Sequence, residues 1–311
     1  MKISCRGLML GSMIALSGAC GGAPQEADET SGRLRVVATT SIVGDLAGSI
    51  GGDAIELETL MGAGVDPHLY KPSAGDVRRM SSAQVVIYNG LHLEGKMTEV
   101  LAEMGTRGVE TVAVAECVAP DRLLSVEGFD TMHDPHVWFD VELWEEAAAC
   151  LRDALMRIDP DHAEGYQQRG DAVITEFAAL DEWVGERIAT LPEERRVLVT
   201  AHDAFSYFGR AYGIEVRGLL GVSTAAEAGT ADVQDLAVFI ADRGLPAVFV
   251  ESSVPPRFIE ALTEAVAARG GDVTIGGSLY SDALGSPGGA AETYVGTVRA
   301  NVETIVGAMS K

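Results

Sequence analysis

The stretch DPDHAEGYQQRGDAVITEFAALDEWVGERIATLP, residues 159–192, decides the fold. Ala163, Tyr166, Ala172, Ile174, Phe177, Leu180, Trp183, Val184 and Ile188 recur along it in short steps, mostly of three and four residues. That is the spacing of one apolar face of an α-helix. Pro160 suits a first helical turn, no proline follows until Pro192, and only Gly165, Gly170 and Gly185 interrupt. The pattern predicts a single helix of about 30 residues, roughly 45 Å long. Such a helix exceeds the usual length in a compact domain. It reads as a stiff connector.

Working outward, each flank alternates strand-like and helix-like segments. Before the connector, strands are expected at Leu34–Thr40, Ile55–Met61, Val85–Asn89 and Thr111–Val114. Helices are expected from Ser41, as cap, to Ile50, and over Ala74–Ser82, Lys96–Met104 and Val141–Arg157. After it, strands fall at Val197–Thr200, Glu215–Leu219, Ala247–Val250 and Asp272–Ile275. Helices there cover Phe205–Tyr212, Ala231–Arg243, Pro256–Ala268 and Ala290–Met309. Strands that alternate with helices build parallel sheets. The fold class is therefore α/β with two lobes, 33–158 and 193–311, each a mostly parallel sheet flanked by helices. The rigid helix 159–192 joins them, and a cleft between two such lobes describes a ligand-binding receptor.

The 311 residues are 47% hydrophobic and 22% charged, a globular composition. Lys and Arg number 23 against 46 Asp and Glu, a net charge of −23, which excludes nucleic-acid binding through a basic surface. Lys2 and Arg6 precede an apolar run, Leu8–Leu16, too short to span a bilayer. Leu16-Ser17-Gly18-Ala19-Cys20 is similar to a bacterial lipobox, although its Leu stands one position early and Ser17 takes that place. The expectation is a signal peptide over residues 1–19, lipid on Cys20 and a flexible tether through residue 32. The alternative is a plain secretory signal cut near Ala19 or Ala23. Cys117 and Cys150 remain in the body, either as a disulfide or as two small buried residues.

Three histidines stand in suggestive surroundings. Asp66-Pro67-His68-Leu69-Tyr70 and Asp134-Pro135-His136-Val137-Trp138 repeat one phrase: Asp-Pro-His, an apolar residue, an aromatic one. Proline fixes its own φ and biases the preceding Asp toward extended backbone, so each His leaves a loop tip in a set direction. His202, in Thr200-Ala201-His202-Asp203-Ala204-Phe205, follows a predicted strand, where parallel sheets bind ligands. Asp282, in Leu279-Tyr280-Ser281-Asp282, follows another. Three imidazoles and a carboxylate without a thiolate suit a borderline or hard divalent ion.

Together these phrases resemble the cluster A-I (TroA-like) metal-binding lipoproteins of ABC importers for zinc and manganese, from about Leu34 to Met309 and through the long helix. The resemblance implies His68, His136, His202 and Asp282 as ligands of one transported Zn2+ or Mn2+. It also implies an extracytoplasmic, membrane-anchored protein, expected to be a monomer, that serves a permease and an ATPase. His at the third ligand position leans to zinc. The loop Pro120–Met132, however, lacks the histidines usual in the family's high-affinity zinc receptors. Val250-Glu251-Ser252-Ser253 and Asn89-Gly90-Leu91 resemble further family phrases, with Glu251 expected to brace loops under the site and His92 to be a neighbour. His133 and His162 are expected at the surface, and Trp138, Phe205 and Tyr280 in the cleft walls. The competing readings are a metal-dependent hydrolase, for which no H-E-x-x-H occurs, and a surface adhesin with a structural metal.

Overall fold

The computed structural model describes Met1 and residues 32–126, 132–226 and 228–310. Nearly all of the expected signal peptide, Cys20 and the tether lie outside the described residues, as do residues 127–131 of the loop before the second Asp-Pro-His phrase.

Before the long helix come β1 (Leu34–Ala38), α1 (Ser41–Gly51), β2 (Ile55–Thr59), α2 (Ala74–Ser82), β3 (Val85–Tyr88), α3 (Thr98–Thr106), β4 (Glu110–Ala113) and α4 (Val141–Ile158). The four strands form one parallel sheet in the order β2-β1-β3-β4. The long helix is α5 (Ala163–Ala189), 27 residues after a 3-10 turn at Pro160–His162. Then follow β5 (Val197–His202), α6 (Ser206–Tyr212), β6 (Glu215–Leu220), α7 (Thr230–Arg243), β7 (Ala247–Glu251), α8 (Arg257–Ala267), β8 (Thr274–Leu279) and α9 (Tyr294–Met309). β5 pairs with β6 and β7 with β8, both parallel, and β5 lies beside β7.

Side chains alternate across the strands, as period two requires. Val36 and Ala38 of β1 and Val85 and Ile87 of β3 face one core, while Val37 and Val86 face a second with Met80, Met97, Leu101 and Met104. In the carboxy-terminal half Leu198 and Phe249 face the first core, and Val197, Val199 and Val248 face a third with Ile240 and Leu262. Every strand layer is thus covered by helices on both faces, the usual burial of parallel sheets. The first core runs without interruption from β1 through α1, α4, α5 and α6 to α9, and Arg33–Lys311 makes one compact unit.

α5 is therefore packed along its length. Its buried face is Tyr166, Gly170, Val173, Phe177, Leu180, Val184 and Ile188. Val173 replaces the expected Ala172, which is exposed. The Arg169 guanidinium donates to the carbonyls of Ile50 and Gly51 at the end of α1, and Arg187 pairs with Glu303 on α9. A disulfide joins Cys117 to Cys150 on α4. Among the described residues, no helix is long and apolar enough to cross a membrane.

Two local expectations are corrected. Thr40 caps α1, its side chain accepting from the Val43 amide, while the Ser41 hydroxyl accepts from the Leu284 amide across the molecule. β5 runs on to include His202, which is paired with Leu220 of β6 rather than placed beyond the strand.

Candidate metal centre

The site stands where the strand order reverses, outside the carboxyl ends of β5 and β7, the position at which open α/β sheets bind ligands. His202 ends β5, Glu251 ends β7, and Asp282 lies three residues beyond β8. From the amino-terminal half, His68 comes on the loop after β2 and His136 on the loop before α4.

The two Asp-Pro-His phrases fold alike. The Asp66 Oδ1 accepts from the His68 amide at 2.8 Å, and the Asp134 Oδ1 accepts from the His136 amide at 2.9 Å. Each Asp closes a turn over its proline and so aims the following imidazole. The phrases then diverge. Asp134 also accepts from His136 Nδ1 at 2.7 Å, whereas the second oxygen of Asp66 accepts from the Thr224 hydroxyl at 2.6 Å.

His202 is held twice by one carboxylate. Glu251 Oε1 accepts from its amide at 2.8 Å and Oε2 from its Nδ1 at 2.5 Å. Asp134 and Glu251 thereby fix the tautomer of both rings and leave each Nε2 free to bind, the carboxylate–imidazole arrangement that orients metal ligands. The Asp282 loop is fixed by Asn301, which bonds Tyr280 N and O, and by the Ser253–Ser281 hydroxyl pair. Trp138, edge-on to His136 with centroids 5.2 Å apart, donates from Nε1 to the Ser281 carbonyl and links the His136 and Asp282 loops.

All four candidate ligands are buried, and one donor atom of each lies within 4.8 Å of the others. His68 Nε2 is 3.3 Å from His136 Nε2. His136 Nε2 is 3.4 Å from Asp282 Oδ1, His202 Nε2 is 3.4 Å from Asp282 Oδ2, and His68 Nε2 is 3.9 Å from Asp282 Oδ2. Zinc binds nitrogen and oxygen at about 2.0–2.2 Å, so a tetrahedral shell has edges of about 3.3–3.6 Å. Three of the four separations fall in or near that range. His202 Nε2 and both Asp282 oxygens are buried polar atoms with no hydrogen-bond partner, facing one point. Orphaned atoms of this kind are costly unless a ligand satisfies them.

The electrostatics are those of a proton-loaded trap. Burial pushes His68 down to about 3, with His136 and His202 adding to the effect and Asp282 opposing it. Burial would also depress His136, but the Asp134 and Asp282 carboxylates overcome it and raise the ring to about 9. His202 is likewise held well above its ordinary value, burial being outweighed by Glu251 and Asp282. Asp282 is held well below the usual carboxylate range: burial opposes ionisation, but His202 and His136 more than compensate.

Of the other expected neighbours, His92 is exposed and outside the cluster. His133 is half-buried rather than solvent-exposed, its Nδ1 without a partner, because it pairs antiparallel with Ser125. His162 is half-buried against Asp159 at the start of α5. Phe205 packs on Phe139, their centroids 4.2 Å apart. Sequence reading placed Glu251 beneath the site without identifying its bonds to His202, because the two are 49 residues apart. It likewise missed Glu94, whose buried carboxylate accepts from Thr39, Asn89 and Gly90 and steadies the Asn89 side chain that donates to the Pro135 carbonyl.

Comparison with known proteins places the chain in a family. The family model described as ZnuA, zinc-uptake complex component A periplasmic, matches residues 36–308. The zinc-binding protein TroA of Treponema pallidum (strain Nichols) is 47% identical over 305 residues, 98% of this chain and 97% of that one. The manganese-binding lipoprotein MntA of Bacillus subtilis (strain 168) is 43% identical over 311 residues, 99% of this chain and 100% of that one. The solved structure of the periplasmic zinc-binding protein TroA from Treponema pallidum superimposes with a TM-score of 0.87 at 48% identity, covering 90% of this chain and 100% of that one. On the family match and these relatives, the chain belongs to the ZnuA family.

Proposed function

We propose that this chain is an extracytoplasmic receptor that captures one divalent ion, zinc or manganese, and hands it to the permease and ATPase of a metal ABC importer. One observation carries the reading. Four buried donor atoms, from His68, His136, His202 and Asp282, converge from both sides of α5 at the spacing of a single coordination shell. The treponemal relative is named for zinc and the Bacillus relative for manganese, so both ions are candidates. Three imidazoles and the Irving–Williams order favour zinc at equilibrium.

A receptor fits the ligand set better than a hydrolase does. A catalytic zinc keeps an open position for water, whereas four protein ligands close a tetrahedral shell. The same reading assigns residues 1–19 as signal peptide, Cys20 as the lipid anchor and 20–32 as a tether. Residues 33–158 and 193–311 are then the metal-binding lobes about helix 159–192, in a protein that works as a monomer. The name lipoprotein carried by the Bacillus relative supports the anchor.

Elemental analysis of the purified protein, followed by zinc–manganese competition on chelator-stripped protein, tests the function. The expected result is one ion per chain. His136→Ala should weaken binding of both ions. Two ions per chain, or parental affinity in that variant, would overturn the ligand assignment.

A further inference from the structure

The four candidate ligands are not equally anchored. His202 ends a paired strand and is doubly bonded to Glu251. The His136 loop is tied to the carboxy-terminal half by the Tyr207 hydroxyl, which donates to the Asp134 carbonyl, by Trp138 Nε1 on the Ser281 carbonyl, and by the Tyr294 hydroxyl on the Trp138 carbonyl. The Asp282 loop shares the Trp138–Ser281 bond and adds Asn301 and Ser253. These three ligands form one bonded block.

The loop from Gly62 to His68 stands apart. Its start is fixed by the Met61 amide on the Thr39 carbonyl. Among the described residues, one hydrogen bond ties it to the carboxy-terminal half: the Thr224 hydroxyl on Asp66 Oδ2. The other oxygen of the same Asp66 holds the His68 amide. Thr224 thus reaches His68 through a single carboxylate. Thr224 lies within the segment 221–226, whose Val222, Ser223 and Ala226 line a cavity of about 490 Å³ with Leu91, Met132 and Pro135. Of the four ligands only His68 lines that cavity, and it is the most exposed of them at 5%. The cavity therefore opens beside His68, which forms part of its wall.

We infer that Thr224 is a positioning residue for ion exchange: its hydroxyl latches Asp66, holds the His68 loop against the carboxy-terminal half, and so slows departure of the ion through the cavity beside His68. The inference rests on the receptor reading above and concerns the rate of that site. When the latch opens, His68 swings away with its loop while the other three ligands stay in place. A hydrogen bond to a charged acceptor is among the stronger ones, and this one must break before the loop moves.

The test uses the zinc-loaded chain, with dissociation followed by stopped-flow after mixing with excess chromophoric chelator. Thr224→Val keeps the shape and removes the donor; Thr224→Ser restores it. The expected result is that Thr224→Val releases zinc about tenfold faster, the order a lost charge-assisted bond allows. The association rate should be nearly unchanged, and Thr224→Ser should return to the parental rate. A common thermal melt for the three proteins checks that all are folded. A parent that binds zinc while Thr224→Val releases it at the parental rate overturns the latch. So does Thr224→Ser releasing as fast as Thr224→Val, since the methyl group rather than the hydroxyl would then matter. A parent that binds no zinc overturns the receptor reading itself.

Discussion

Glu251→Gln isolates what a carboxylate adds behind a metal-binding imidazole. Glu251 is buried, and both of its oxygens are spent on His202, at 2.8 Å to the amide and 2.5 Å to Nδ1. Gln fills the same volume but is neutral, and only one of its two terminal atoms accepts. One of the two bonds to His202 is therefore lost, and the basicity that the negative charge lends the ring goes with it. Loss of such a partner costs about 10–100-fold in metal affinity, or about 1.4–2.8 kcal/mol. A second effect runs the other way. The Glu251 charge is the main force holding His202 above its ordinary pKa. A metal must displace that proton, at about a tenfold cost in apparent affinity for each pH unit below the pKa. In Glu251→Gln the pKa of His202 falls and this penalty shrinks. The affinity gap should therefore be widest at alkaline pH and narrow as pH falls. Competition against a chromophoric chelator between about pH 6 and 8.5, spanning the ordinary histidine range, measures it. Equal affinity of parent and variant across that range, or a gap that widens toward acid, would refute the reasoning.

Three further predictions follow from the same geometry. At pH 7.5, a value chosen between the ordinary histidine range and about 9, the carboxylates around the metal-free site favour a proton on His136 and on His202, while burial favours neutral His68. Zinc binding should then release up to two protons, counted by calorimetry in buffers of different ionisation enthalpy, and affinity should keep rising with pH until about 9. His202→Glu, which offers a harder oxygen donor, should move the zinc-to-manganese affinity ratio toward manganese in competition titrations, while His202→Ala weakens both ions. Replacing Cys117 and Cys150 together by Ala opens a loop closed across 33 residues, and should cost about 3–4 kcal/mol in denaturant unfolding while leaving the ligand set unchanged.

The candidate site was readable in sequence because each candidate ligand carries its own local signal. Asp-Pro before His is a backbone instruction, and the structure adds that the same Asp side chains complete the turn. The long helix was readable because burial leaves a periodic trace, and it drifted by one residue at Ala172 and Val173 because neighbouring helices set the final rotation. What stayed hidden depends on contacts between distant segments. The last strand was expected at Asp272–Ile275; β8 instead runs Thr274–Leu279, through Gly276 and Gly277. A Cβ on Gly276 would stand 2.7 Å from the Ala308 Cβ, so the glycine lets α9 lie against the strand. Glu251 as anchor of His202 and the Cys117–Cys150 pairing belong to the same class. No local pattern records a partner that only folding brings near.

These contacts also decide where the molecule can move. A rigid-body opening of the two halves would have to part the first core, which runs from β1 to α9 through α5. Each 100 Å² of apolar surface exposed would cost about 2.5 kcal/mol. Such an opening would also strain the Arg169 bonds to α1 and the Arg187–Glu303 pair, which clamp α5 to a helix of each half. Among the described residues, one hydrogen bond, from Thr224, joins the His68 loop to the carboxy-terminal half. On the latch inference, exchange of an ion runs through the loop rather than through the hinge. The long helix keeps three ligands in register while the fourth comes and goes, so a stiff frame and an exchangeable site coexist in one chain.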